Sequence, residues 1–160
     1  MINLPDGAWL GTYDRDKLIS IWHKIKEYDN LFADDDMKDP EEYLRKFLDR
    51  RTVIIETDGG FMSLMNIRRG LKAEGHFCFW DHKLSPKTEL IKDCMIWSFL
   101  QFDLQRLETY VADYAHAVRR FVERKLGFVY EGTMRDALIH DGRLIDMLIF
   151  SILREEVLNG

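Results

Sequence analysis

Apolar positions change their spacing along the chain, and each change marks an element. Leu18, Ile21, Trp22 and Ile25 recur at helical spacing behind Asp14, whose carboxylate can accept from the free N–H groups of a helix start. A short strand over residues 8–13 precedes them. Residues 29–42 form an acidic connection ending in Asp39-Pro40-Glu41-Glu42, which combines a capping Asp, a proline at the first helical position and a Glu three residues after the cap. Tyr43, Leu44, Phe47 and Leu48 give this second helix its inner face. The period then shortens to that of strands. Residues 52–57, 61–67 and 71–81 read as three strands, with turns at Asp58-Gly59-Gly60 and Arg68-Arg69-Gly70, and predict an antiparallel meander.

Ser85-Pro86 opens a helix that is apolar on most sides, through Leu90, Ile91, Cys94, Met95, Trp97 and Phe99, the mark of a buried element. Residues 106–113 read as a strand. Residues 115–126 read as a helix with Val118, Phe121 and Val122 inward and Gly127 at its C-terminal cap. Two further strands, 128–139 and 143–153, are joined by Asp141-Gly142, a strong hairpin signal. The order β-α-α-β-β-β-α-β-α-β-β predicts an α/β (α+β) fold, a seven-stranded mixed sheet with helices on both faces. The strand–helix–strand unit around residues 71–113 supplies a parallel pair by a right-handed crossover.

Composition narrows the class. Hydrophobic residues make up 46% of the chain and charged residues 32%, which excludes a disordered chain. A length of 160 residues predicts one domain, residues 1–160, with core enough to need no staples. The net charge of −5 argues against a general electrostatic hold on nucleic acid or anionic membrane. No apolar run approaches the ~20 residues that cross a bilayer. The start, Met1 to Asp6, lacks the basic stretch and apolar core of a signal peptide, so a cytoplasmic location is expected. Cys78 and Cys94 form no CxxC pair and flank no histidine cluster, so neither a disulfide framework nor a structural zinc site is expected.

The common catalytic signatures are absent: no GxSxG, no GxxxxGK[ST], no HExxH and no GxGxxG occurs. The five histidines, His23, His76, His82, His116 and His140, are scattered. The last third is more telling. It carries Lys125-Leu126-Gly127-Phe128, then Glu131-Gly132-Thr133-Met134-Arg135, Asp141-Gly142-Arg143, and Leu153-Arg154-Glu155-Glu156. These residues, with the element order, resemble the GNAT superfamily of acyl-CoA N-acyltransferases. Over residues 121–156 the likeness is to its ribosomal-protein N-terminal acetyltransferase branch.

That resemblance implies two neighbouring parallel strands that splay apart around acetyl-CoA as co-substrate. The pyrophosphate would sit on the N-terminus of the following helix, an anion at the positive end of a helix dipole. Relatives write the cradle as [RQ]-x-x-G-x-[GA]. Alignment of this chain places Trp80 at the first position and Lys83 and Ser85 at the glycines, and Pro86 removes a further donor. Two readings follow. Either the cofactor site has decayed, or Lys83, Lys87 and the Ser85 and Thr88 hydroxyls replace the lost backbone contacts.

The resemblance also assigns roles. An amine must lose a proton before attacking a thioester, so a carboxylate base is required. Glu108, on the strand 106–113, is the first candidate, with a strand carboxylate paired to Lys or Arg as its alternative; Asp81 is the second. The family's Asn before the last helix matches His116, at the cofactor side, and its Tyr proton donor matches Glu123. Tyr114 is near enough to donate instead, or serves as a buried aromatic. His76 shares a face with Glu74, Cys78 and Trp80 and is a second base or a core-edge histidine. The acidic connection is a solvated loop or lines the acceptor site, where it would concentrate a cationic amine. Two functions are therefore expected: an acetyl-CoA-dependent N-acetyltransferase acting on a primary amine, small molecule or peptide, or a non-catalytic binding or assembly module on the same scaffold. A homodimer is left open, and no metal is expected.

Overall fold

Asp14 and Asp39 start the two N-terminal helices. In the computed structural model, which describes residues 2–11, 14–28, 34–80 and 87–159, the Asp14 carboxylate accepts from the Lys17 N–H at 3.0 Å. Helix α1 follows, Arg15–Ile25. The Asp39 carboxylate accepts from the Glu41 N–H at 2.8 Å, and α2 runs Pro40–Phe47. Between them Asp35–Lys38 form a 3₁₀ turn.

The strands are β1 (Ala8–Leu10), β2 (Val53–Thr57), β3 (Gly60–Arg68), β4 (Lys72–Phe79), β5 (Arg106–Ala112), β6 (Val129–His140) and β7 (Arg143–Leu153). Two further helices, α3 (Thr88–Phe102) and α4 (His116–Arg124), sit either side of β5 in sequence. Among the described residues the strands form one seven-stranded sheet in the order β1-β2-β3-β4-β5-β7-β6. Every neighbouring pair is antiparallel except β4 and β5, which are parallel. This is the mixed sheet that the element order predicts.

Strand alternation splits the core in two. On one face Ala73, Phe79, Leu107, Val111 and Phe150 pack with Ile91 and Met95 of α3 and Val122 of α4. On the other, Ile54, Phe61 and Cys78 pack under Leu18 and Trp22 of α1 and Tyr43 and Phe47 of α2. We call the first the α3–α4 face and the second the α1–α2 face.

The β2–β3 turn is tighter than its three-residue reading. Thr57 pairs with Gly60, which leaves Asp58-Gly59 as a two-residue loop with Gly59 at φ 78°. Gly60 is sterically obligatory: a Cβ there would stand 2.5 Å from the Cys78 carbonyl oxygen and nearer still to the Phe79 ring. Other departures from the sequence reading are local. Strand β1 spans three residues, and the Thr12 and Tyr13 expected in it lie outside the described residues. A short helix α5, Arg154–Leu158, follows β7 where no element was expected. Its first residue closes α3: Arg154 Nη1 donates to the carbonyls of Phe99 at 3.2 Å and Leu104 at 2.9 Å and pairs with Asp103 at 3.1 Å. Among the described residues no helix is long and apolar enough to cross a membrane.

Candidate active-site cleft

Strands β4 and β5 pair only at their starts. Their register covers Lys72↔Arg106, Ala73↔Leu107 and Glu74↔Glu108, and no further rung joins them. Yet β4 continues along β3 to Phe79↔Gly60, and β5 continues along β7 to Ala112↔Met147. Beyond Glu74 and Glu108 the two strands therefore diverge, and the sheet opens into a V.

A cleft of ≈ 950 Å³ occupies this opening. It reaches both faces of the sheet. Phe77, Val118 and Phe121 line it on the α3–α4 side, and Glu74, His76, Tyr110 and Met37 on the α1–α2 side. Helix α4 begins at the open end of β5, so its first turn, from Ala115 to Val118, walls the cleft.

Glu74 stands at the apex of the V. Its carboxylate accepts from Asn66 Nδ2 at 2.9 Å, and His76 Nε2 lies 3.9 Å from it. Contact with His76, reinforced by Asn66 and Lys72, holds the Glu74 carboxyl below the ordinary carboxylate range in spite of burial. The side chain of His76 is 39% exposed, which leaves its ring reachable from the cleft.

Glu108 leaves the same rung on the same face and meets other company. Its oxygens accept from Lys72 Nζ at 3.0 and 3.1 Å, from Arg106 Nε at 2.7 Å and from the Tyr110 hydroxyl at 3.2 Å. Burial pushes this carboxyl up, and the hydrogen bonds from Arg106 and Lys72 outweigh it, so the net shift is downward. The Tyr110 phenol is pushed up to about 12 by burial and by the Glu108 charge. Arg106 also donates twice to Glu131, through Nη1 at 2.7 Å and through Nη2, and Ser151 Oγ donates to Glu131 at 2.7 Å. A polar chain thus crosses four strands, from Lys72 on β4 to Glu131 on β6. Glu131 joins it because it alternates with Val129, which pairs with Ser151 and so shares this face.

Tyr114 closes one end of the cleft. Its ring stacks on His140 with centroids 4.6 Å apart, and its hydroxyl lies 3.3 Å from His140 Nδ1. Asp141 is 3.5 Å from the same imidazole. The acidic connection reaches this corner as well. The Asp35 carboxylate accepts from the Asp141 and Gly142 N–H groups, both at 3.0 Å, and Lys38 Nζ bridges Asp35 and Asp141 at 2.9 Å each. Lys38 thus neutralises the two carboxylates of the Asp35, His140 and Asp141 group.

The expected cofactor residues are divided. Asp81, Lys83 and Ser85 lie outside the described residues. Lys87 is the N-cap of α3 and makes no side-chain capping bond. Its ammonium donates to the Asp58 carbonyl and lies 4.9 Å from the centre of the Phe79 ring. Thr88 is buried in the first turn of α3. His116 is exposed at the start of α4. Glu123 pairs with Arg119 at 3.4 Å. The sequence reading did not single out Glu74 or His140. Strand alternation placed Glu74 beside His76, but its position at the apex depends on the β4–β5 register, which no local pattern encodes.

No protein-family model matches the chain, and no curated protein matches it. Solved structures do. Mutant forms of the spermidine/spermine N-acetyltransferase SpeG from Vibrio cholerae share 20% identity at a TM-score of 0.72, covering 97% of this chain and 98% of theirs. A chimera of the V. cholerae spermidine N-acetyltransferase SpeG with hSSAT gives a TM-score of 0.77 at 19% identity, covering 97% of this chain and 100% of the other. A probable acetyltransferase gives 0.70 at 19% identity, covering 96% and 97%. The chain has the GNAT acetyltransferase fold.

Proposed function

We propose that the chain is a GNAT-superfamily N-acetyltransferase that moves an acetyl group from acetyl-CoA to a primary amine. One observation carries the reading: a parallel strand pair that separates after a carboxylate and opens a through-sheet cleft between two helix layers. The residues present fit an acyl-CoA in that the V admits an extended arm between β4 and β5. The closing segment, residues 121–156, is the ground for placing the chain near the ribosomal-protein branch.

When bound, acetyl-CoA supplies the thioester carbonyl that the amine nitrogen attacks as the C–S bond breaks. The chain's own residues bind and manage protons. Glu74, held anionic, attracts the ammonium at the apex of the V. His76, 3.9 Å away and open to the cleft, takes the proton that frees the nitrogen lone pair. Glu108 acts as a positioning residue that ties β4 to β5 below the V, and Arg106 carries the chain on to β6. Tyr114 gives a proton to the departing sulfur and is backed by His140.

The module reading rests on Lys87, whose ammonium contacts the Asp58 carbonyl and the Phe79 ring. Thermal unfolding decides between the two. With 1 mM acetyl-CoA the enzyme reading expects stabilisation of about 1 kcal/mol, roughly 2–4 °C in Tm, together with free-thiol release when amines are added. No shift and no thiol release with any amine would leave only the scaffold.

A further inference from the structure

We infer that the acceptor is a primary monoamine carried on an apolar body, such as an arylalkylamine, and not an extended polyamine. This rests on the acetyltransferase reading of the cleft.

The charge inventory of the cleft comes first. Three described carboxylates line it, Asp34, Asp49 and Glu74, against two cations, Arg45 and Lys46, which leaves one net negative charge. Two of the carboxylates are committed to local turns. Asp34 accepts from the Asp36 N–H at 3.2 Å, and Asp49 accepts from the Arg51 N–H at 2.7 Å with Arg51 Nε 3.6 Å away. Among the described residues that line the cleft, only Glu74 is a carboxylate on the strand floor. Other acids near the α1–α2 face are neutralised by their own cations: Glu56 by Lys17, Glu108 by Lys72 and Arg106, and Asp35 by Lys38. Among the described residues, a polyamine laid along this cleft would find one floor carboxylate for its first ammonium, and Lys46 at the rim would repel the rest, Arg45 being paired with Glu42 at 2.9 Å.

The walls make the complementary argument. On the acceptor side they are Met37, Met65, Tyr110, Tyr114, Leu138 and Met147, all partly exposed to the cleft. Methionine and aromatic surfaces accept a ring or alkyl chain, and none of these wall side chains carries a negative charge for a second ammonium. One anionic point at the apex with apolar walls above it selects a molecule with the same division.

Binding and turnover are measured separately. Calorimetric titration of the protein with 2-phenylethylamine, hexylamine and spermidine at pH 7 reads binding without chemistry. Thiol release from acetyl-CoA with the same amines reads turnover. The inference expects 2-phenylethylamine to bind more tightly than spermidine by roughly 10- to 100-fold, the range over which an apolar pocket discriminates. Leu138→Glu, which adds a carboxylate to the cleft lining, should shift that ratio towards spermidine. Spermidine binding as tightly as 2-phenylethylamine or better, or no measurable binding of either amine, overturns the inference. Selective amine binding without thiol release from any amine would sustain it and overturn the acetyltransferase reading instead.

Discussion

The carboxylates of Glu74 and Glu108 leave the same face of the sheet from the last rung that joins β4 to β5, one into the cleft and the other into a group of cations. Position separates their tasks. Glu74 borders the opening beside a reachable histidine, whereas Glu108 is 8% exposed at its side chain and saturated by Lys72, Arg106 and Tyr110.

This division predicts opposite phenotypes. Glu74→Gln and His76→Gln should each lower kcat/KM for an amine by roughly 10²-fold with little change in Tm, as expected for loss of a proton acceptor or its partner. Glu108→Gln should do the reverse. It leaves Lys72 and Arg106 short of a buried acceptor and should cost about 1–3 kcal/mol in urea unfolding, while the folded fraction keeps its turnover. A Glu108→Gln protein of normal stability and no activity would exchange the two roles.

Acid stability should report the same polar chain. Arg106, then Ser151, hold the Glu131 carboxyl down at about 2 from its ordinary 4.5. A carboxyl depressed on folding stabilises fully above its unfolded value and loses that contribution as the pH falls through the folded one. The window for Glu131 is therefore from about pH 4.5 down to about pH 2, and Glu108 and Glu74, both shifted downward, add to the slope below the ordinary carboxylate range. The urea midpoint of the wild-type protein should fall steeply across this window. Glu131→Gln should start lower at pH 6 and fall less. Equal slopes for the two proteins would show that the Arg106–Glu131 pair stores no pH-dependent stability.

Local signals carried the fold far and the site only part of the way. Asp14, Asp39 and the Asp141-Gly142 pair act through neighbours within a few residues, so capping and turn chemistry located both N-terminal helices and the last hairpin. The seven strands followed from period and order. What escaped was non-local. The end of the β4–β5 register sets the apex at Glu74, and the β6–β7 and β5–β7 registers bring Glu131 to Arg106; neither leaves a mark in the nearby sequence. Arg154 was legible as part of a closing motif, but its work, capping α3 from fifty residues away, is visible only in the fold.

The Asp35 contact with the β6–β7 hairpin should be measurable by hydrogen exchange. Its carboxylate, brought down to about 2 first by Lys38 and then by the Gly142 and Asp141 amides, is the acceptor for both N–H groups of the turn. Asp35→Ala should speed exchange at the Asp141 and Gly142 amides by roughly tenfold and leave the β3–β4 ladder unchanged. Unaltered exchange at both amides would mean that the hairpin turn protects itself and the acidic connection merely rests against it.

Cys78 offers a probe of the cleft floor that requires no substrate. It lines the opening, yet burial leaves it 8% exposed and pushes its thiol up to about 12. Reactivity follows the thiolate, and at pH 8 the thiolate fraction at such a value is on the order of 10³-fold below that of a free cysteine. Iodoacetamide should therefore label native protein slower than free cysteine by at least that factor, with mass spectrometry showing rapid modification at Cys78 only in urea. Acetyl-CoA, by filling the V above Phe79, should slow the native reaction further. Fast labelling of Cys78 in the native protein would show instead that α1 and α2 lift from the sheet readily, and that the floor around His76 is open to bulk water rather than to a bound amine alone.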